Sequence, residues 1–200
     1  CMTKEIKEMR IAVTGAASGI GSVIANELSS LGARVAICDK DEERVQAFTA
    51  DHEDIFASTG NVANEADVID FFSGVEAKLG GLDALINNAG IAGPMTNLEK
   101  FNFADWQETI SVNLNGAFLC SKEAIPMLRA SGGGSIINIG STSSLFGTPL
   151  RSAYSATKWA MIGLTKTWAM EYGHENIRVN AICPGSVNGP RIERVIKKEA

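Results

Sequence analysis

Arg10-Ile-Ala-Val-Thr14-Gly15-Ala-Ala-Ser-Gly19-Ile-Gly21 carries a short apolar stretch straight into a turn with three glycines, and an amphipathic run over about 20–31 follows. The apolar stretch reads as a buried strand and the run behind it as a helix, joined by a turn. Gly15, Gly19 and Gly21 let the backbone bend tightly, expose its N–H groups and pack closely on the next helix. The N-terminus of such a helix attracts anions, a pyrophosphate above all. The spacing G-x-x-x-G-x-G departs from the G-x-G-x-x-G of the common dinucleotide fingerprint, and a glycine triplet alone also fits an ordinary strand-to-helix turn.

The same alternation continues outward from this unit. Short apolar stretches at 10–14, 34–39, 55–58, 84–87, 135–139 and 178–182, each bounded by Gly, Asn, Asp or Pro, read as strands. Amphipathic stretches at about 20–31, 41–50, 65–79, 105–130 and 152–172 read as the helices between them. Strand and helix in turn make βαβ units, hence an α/β fold with a mostly parallel sheet and right-handed crossovers. The 105–130 run opens on Asp105-Trp-Gln-Glu108, read as a cap with Glu at the third helical position. No repeat, linker or low-complexity block interrupts the pattern, so one domain is expected. After Pro184-Gly185 the chain reads as a loop turning into an amphipathic helix.

Composition narrows the function. Of 200 residues 45% are hydrophobic and 20% charged, which fits a globular domain that buries roughly 70% of its unfolded surface. The net charge is -5 and the basic residues are scattered, which disfavours a nucleic-acid partner. Cys1, Cys38, Cys120 and Cys183 lie far apart, three of them in or beside apolar segments, as buried free thiols do in a reducing compartment. With only His52 and His174 to join them, no metal-ligand spacing arises and no metal is expected. The first ten residues lack the apolar centre of a signal peptide, and no later stretch is a long apolar span. A soluble, cytoplasmic protein without a membrane partner is expected.

Two further features carry chemistry. Asp39 ends the second strand 18 residues beyond Gly21, where a carboxylate accepts hydrogen bonds from an adenosine ribose. It would repel a 2′-phosphate, and Ala17-Ser18 occupy the turn where a basic residue would serve one, so NAD is favoured over NADP; Lys40 counts the other way. Asp39 also fits a cap for the helix that starts near Asp41. Tyr154-Ser-Ala-Thr-Lys158 places a phenol and an ammonium four apart on one helix, hence on one face. A phenol titrates near ~10, and each unit of depression needs about 1.36 kcal/mol of differential stabilisation, so a Tyr base near neutral pH requires an adjacent cation. Lys158 is the candidate. Tyr-x-x-x-Lys pairs also occur on solvated helices. Ser141, in Ser141-Thr-Ser-Ser144, fits a turn cap as well as a site role, with Ser143 its rival, and Asn113 has Asn115 beside it.

In chain order, the glycine turn, Asn87-Asn88-Ala89-Gly90, Asn113, Ser141, Tyr154-x-x-x-Lys158 and Pro184-Gly185 make a combination that resembles the short-chain dehydrogenase/reductase family over nearly the whole chain. The resemblance implies a Rossmann-type, doubly wound parallel sheet with helices on both faces, in three layers. It also implies a homotetramer or homodimer held partly by the two long helices. It places Thr14, Gly15, Ser18, Gly19, Ile20 and Gly21 at the cofactor phosphates and ribose, and Asp39 at the adenosine ribose. Asn61 and Val62 fall at the adenine, Asn88, Ala89 and Gly90 beside the adenine-side ribose and the central sheet, and Pro184, Gly185 and Val187 beside the nicotinamide. Asn113, Ser141, Tyr154 and Lys158 match the catalytic tetrad, with Tyr154 and Lys158 also touching the cofactor. Two positions depart from the family: Asn61 stands where most members carry Asp, and Gly189 where many carry a Thr that helps hold the carboxamide, with Ser186 or Asn188 as substitutes. Against the family's length, residues 1–200 read as one domain that stops before the rest of the lid and the last strand.

The chemistry implied is an NAD-dependent interconversion of a secondary alcohol and a ketone. Tyr154 exchanges a proton with the substrate oxygen while a hydride moves between the adjacent carbon and the nicotinamide. Ser141 holds that oxygen as charge develops, Lys158 stabilises the phenolate and bonds the nicotinamide ribose, and Asn113 holds a water leading from Lys158 to solvent. Phe146, Thr148, Leu150 and Arg151 are expected to face the substrate. Arg151 or Arg191 fits a carboxylate or sulfonate on that substrate, and either also fits an ordinary surface arginine. The alternatives are a 3-oxoacyl-thioester reductase acting on an acyl carrier protein, against which Asp39 argues since such enzymes usually take NADP, and a non-catalytic dinucleotide sensor or scaffold.

Overall fold

The computed structural model describes residues 4–187; the helix expected after Pro190 lies outside them. Six strands form one sheet: β1 Arg10–Thr14, β2 Arg34–Asp39, β3 Phe56–Thr59, β4 Ala84–Asn87, β5 Gly134–Ile139 and β6 Ile177–Ile182. Their spatial order is β3-β2-β1-β4-β5-β6, and every pairing is parallel. The helices are α1 Gly19–Ser30, α2 Glu42–Asp51, α3 Glu65–Leu79, α4 Phe103–Ile110, α5 Gly116–Ala130 and α6 Ser152–Tyr172. This is the doubly wound Rossmann order, in which the chain reverses direction across the sheet between β1 and β4.

The alternation of side chains along the strands builds the two faces. Ile11 and Val13 enter a cluster with Val35, Ile37, Ala84, Ile86, Ala25 of α1 and Phe48 of α2. Ala12, Ala36, Leu85 and Ile136, one residue out of phase, point the other way, toward Phe71, Phe72 and Val75 of α3, Leu128 of α5 and Trp168 of α6. A strand buried on both sides carries no polar face, which is why these stretches read as continuous apolar runs. Phe71 is among the largest fully buried side chains, and burying a side chain of that size contributes about 1.5–3 kcal/mol.

Helix boundaries follow local chemistry. Asn64 caps α3 by accepting from the N–H groups of Ala66 and Asp67, and Gly80 closes the same helix at φ 72. The cap expected at Asp105 is instead Asn102, whose side chain accepts from Ala104 N, so α4 starts two residues earlier, at Phe103. The 105–130 run is not one regular helix either. Ser111–Asn115 forms a π turn between α4 and α5, a widening that an apolar period does not register.

At the N-terminal edge of the sheet Asp83 is 3% exposed and takes bonds from Arg10 Nε at 2.8 Å, Arg10 Nη2 at 3.0 Å, Arg10 N at 2.9 Å and Lys4 Nζ at 2.6 Å. Burial pushes its carboxyl upward, but the bonds from Arg10 and Lys4 outweigh it and hold the group at about 2.

Candidate active site

Parallel pairing brings the C-terminal ends of all six strands to one edge, and the residues singled out in the sequence gather there. At β1 the turn is braced from β4. Thr14 Oγ1 accepts from Asn88 N and Ala89 N, both at 3.1 Å, while Asn88 Nδ2 donates to Thr14 O at 2.9 Å and Gly15 O at 2.8 Å. A Cβ on Gly21 would stand 2.5 Å from both Asn88 Nδ2 and Gly15 O, so only glycine lets α1 pack this close. Gly19 adopts φ +61 with no atom within 4 Å of where its Cβ would be. The first turn of α1 thus faces open space with its N–H groups forward, a cradle that fits a dinucleotide's pyrophosphate. Ser18, at the N-cap position, makes no side-chain capping bond.

Asp39 is not the cap of α2; Asp41 is, accepting from Arg44 N at 3.2 Å. The Asp39 carboxylate is instead fixed at the rim of the glycine turn, taking Ala17 N on Oδ2 and Asp41 N on Oδ1, each at 3.2 Å. Asn61 uses its amide oxygen locally, accepting from Ala63 N at 3.0 Å, while Asp67 accepts its backbone N–H at 2.8 Å. Val62 is turned inward, into the same core cluster as Cys38, so what it offers outward is backbone. Burial, with Asp39 and Asp67 nearby, pushes the Cys38 thiol up to about 12, which makes it a packing residue rather than a nucleophile.

The ends of β4, β5 and α6 enclose Lys158. It is 5% exposed, its Nζ donates to Ile139 O at 2.6 Å, and it stands 5.7 Å from the Tyr154 ring centroid. Helical spacing has put the two side chains on one face. A Cβ on Gly90 would lie 3.3 Å from Asn113 Oδ1 and 3.8 Å from Lys158 Nζ, so the absent side chain leaves Asn113 and Lys158 bordering the same point. Asn113, within the π turn, receives Ile91 N on Oδ1 at 2.7 Å and donates from Nδ2 to Ile91 O at 2.9 Å and Thr157 Oγ1 at 3.2 Å. Both its amide protons are committed. Thr157, which the sequence reading passed over inside the Tyr-Lys motif, links Asn113 to α6 and donates to Tyr154 O at 2.7 Å.

Ser141 begins the short turn after β5, accepting from Ser143 N and giving its own N–H to Ser144 Oγ, both at 3.1 Å. Its rival Ser143 is buried and accepts from Thr148 Oγ1 at 2.8 Å; Ser141 is half-buried. The Thr142 N–H donates to Pro184 O at 3.0 Å and Gly140 N to Ile182 O at 2.7 Å, which ties the Pro184-Gly185 loop against this turn. Val187 is exposed. Thr148 therefore points into the turn, whereas Phe146 and Leu150 present exposed apolar surface. Arg151 is half-buried, with its guanidinium 5.5 Å above the Tyr154 ring and Nη1 donating to Ala92 O at 3.2 Å. Arg191 lies outside the described residues.

A half-buried phenol beside a buried ammonium, a nearby hydroxyl, and a glycine cradle one strand away can together bind a dinucleotide and move a proton at a carbonyl or carbinol oxygen. Comparison with known proteins agrees. The family described as short chain dehydrogenase matches residues 9–200. Levodione reductase of Leifsonia aquatica is 31% identical over 98% of this chain and 76% of its own. The 3beta-hydroxysteroid dehydrogenase of Mediterraneibacter gnavus is 38% identical over 91% and 67%. The crystal structure of an NAD+-bound xylitol dehydrogenase superposes with a TM-score of 0.93 at 30% identity, covering 98% of this chain and 77% of that one. The chain belongs to the short-chain dehydrogenase family. It is an oxidoreductase that acts on the CH–OH group of a small molecule with a nicotinamide cofactor. Among the described residues no helix is long and apolar enough to cross a membrane, and no group of three or more His, Cys, Asp or Glu could hold a metal ion.

Proposed function

We propose that this protein interconverts a secondary alcohol and its ketone, with NAD as the preferred cofactor and Tyr154 as the general acid–base. The observation that carries the reading is the buried Lys158 ammonium 5.7 Å from the Tyr154 ring, on the same face of α6 and with its Nζ anchored on Ile139 O. When bound, the nicotinamide gives or takes the hydride. Gly15, Ser18, Gly19, Ile20 and Gly21 hold its phosphates, and Asp39 accepts from the adenosine ribose, which favours NAD. Asn61 and the Val62 backbone border the adenine, Asn88, Ala89 and Gly90 the adjoining ribose, and Pro184, Gly185 and Val187 the nicotinamide. Ser141 donates to the substrate oxygen as negative charge grows on it. Tyr154 gives that oxygen its proton in the reductive direction and removes it in the oxidative one. With its amide protons committed to Ile91 and Thr157, Asn113 shapes the widened turn. A water serving Lys158 is held by its remaining Oδ1 lone pair or by a turn carbonyl rather than by the amide nitrogen.

Exposed Phe103, Phe118, Trp159 and Met170 lie on α4, α5 and α6, and a groove between α5 and α6 is lined by Phe118, Ile125, Trp168 and Tyr172. Burial of such surface in a second copy favours a homodimer or homotetramer through the long helices, which sedimentation reads directly. The free thiols of Cys38, Cys120 and Cys183 support a cytoplasmic, reducing location.

The deciding experiment compares wild type with Tyr154→Phe on a panel of secondary alcohols, ketones and acyl thioesters. Turnover is expected to fall by roughly 10²–10⁴-fold while dinucleotide binding persists. Unchanged turnover would remove Tyr154 from the mechanism.

A further inference from the structure

The segment that leads into α6 is held from outside. Leu150 has φ 61, a left-handed backbone that a leucine takes up only where its surroundings impose it. Its carbonyl accepts from Thr96 N at 3.1 Å. Arg151, next in the chain, makes no capping bond with its side chain. Its Nη1 donates instead to Ala92 O at 3.2 Å, across 59 positions of sequence, and its Cζ stands 5.5 Å above the Tyr154 ring. Arg151, Tyr154 and Lys158 are spaced three and four apart and so share one face of α6. Lys158 is buried there, whereas Arg151 is only half-buried and can be reached by a solute.

We infer that Arg151 is a specificity-determining residue that pairs with a carboxylate on the substrate, so that the preferred substrates are hydroxy acids and oxo acids. The inference rests on the proposed proton transfer at Tyr154. A planar guanidinium meets a carboxylate through paired N–H donors. One turn of helix, ~5.4 Å, separates Arg151 from Tyr154, so the carboxylate lies within a few carbons of the reacting carbon. Exposed Phe146 and Leu150 supply apolar surface for the carbon chain between them. The tie to Ala92 O and the strained residue before it fix the guanidinium beside the phenol, which limits the side-chain entropy lost when an anion docks. The opposing account makes Arg151 a brace between α6 and the segment after β4, which would serve neutral and anionic substrates alike.

Reduction of 4-oxopentanoate and 5-oxohexanoate, each against its methyl ester, separates the two accounts in wild type, Arg151→Met and Arg151→Lys, with NADH and NADPH run in parallel. Wild type is expected to favour the acids over the esters by about 10–100-fold in kcat/KM. Arg151→Met is expected to cost the acids at least about tenfold more than the esters, chiefly in KM, because the ion pair is made in ground and transition states alike. Arg151→Lys keeps part of the preference, and added salt should lower kcat/KM for the acids more than for the esters. Equal kcat/KM for acid and ester in wild type, or a loss in Arg151→Met that falls on both alike and on kcat, overturns this inference while leaving the proposed oxidoreduction intact. The wild-type ratio and its salt dependence decide the matter even where Arg151→Met fails to fold. A wild type that reduces only neutral ketones also overturns it, and one that turns over no alcohol or ketone with either dinucleotide overturns both readings.

Discussion

Residues here acquire meaning from what stands opposite them. Lys158 alone is one lysine on a helix; bonded to Ile139 O at 2.6 Å and 5% exposed, it is a charge fixed 5.7 Å from the centre of the Tyr154 ring. The same holds for Gly21, whose missing Cβ leaves the 2.5 Å of room that Asn88 Nδ2 and Gly15 O require. Gly21→Ala is expected to force that contact apart, with a cost of about 1–3 kcal/mol in unfolding free energy and weaker dinucleotide binding. Denaturant titration with and without NADH checks both effects. Binding that survives undiminished would mean that the turn shifts without losing its cradle. Asn88 was legible as part of a motif, but its role as the clamp on this turn depends on β4 lying beside β1.

Among the elements, the join between α4 and α5 is the informative one. Hydrophobic periodicity runs smoothly through 105–130, yet the helix widens at Ser111–Asn115, because Asn113 is drawn to the Ile91 backbone by two bonds at 2.7 and 2.9 Å. A side-chain amide satisfied on another segment competes with regular helix, and no period within the helix reports it. Thr157 completes the link to α6. Thr157→Val, nearly isosteric, is expected to leave a buried Asn113 N–H without its acceptor and to lower stability by about 1–3 kcal/mol. Turnover should fall with it, because Tyr154 and Lys158 share that helix. Thermal unfolding alongside kcat measures the two together, and a stable variant with full kcat would show that this link does not position the site.

For the molecule as a whole, site and foundation occupy opposite edges of one sheet. Asp83, held at about 2 in the fold against an ordinary 3.8, favours the folded state above the ordinary value. That contribution, roughly 2 kcal/mol, is lost as pH falls from about 4 toward 2. Urea unfolding from pH 7 down to 2 should show this loss in wild type and a flatter profile in Asp83→Asn, with a lower plateau at neutral pH; parallel profiles would shift the acid sensitivity to other carboxylates. The sequence by itself determined the alternating strands and helices, the glycine cradle and the Tyr-Lys pair, because strand burial, tight turns and helical spacing are local and leave a periodic or compositional trace. It also marked Asn113, Ser141 and Asp39 as candidates without saying what each would touch. Only the tertiary structure decided that Asp41 rather than Asp39 caps α2, that Asn102 opens α4, that Asn113 binds Ile91 and Thr157, and that Arg151 reaches Ala92. Each of those contacts is chosen by the order of the strands and by competition among nearby polar groups, and such competition is resolved by distances that a linear chain does not contain.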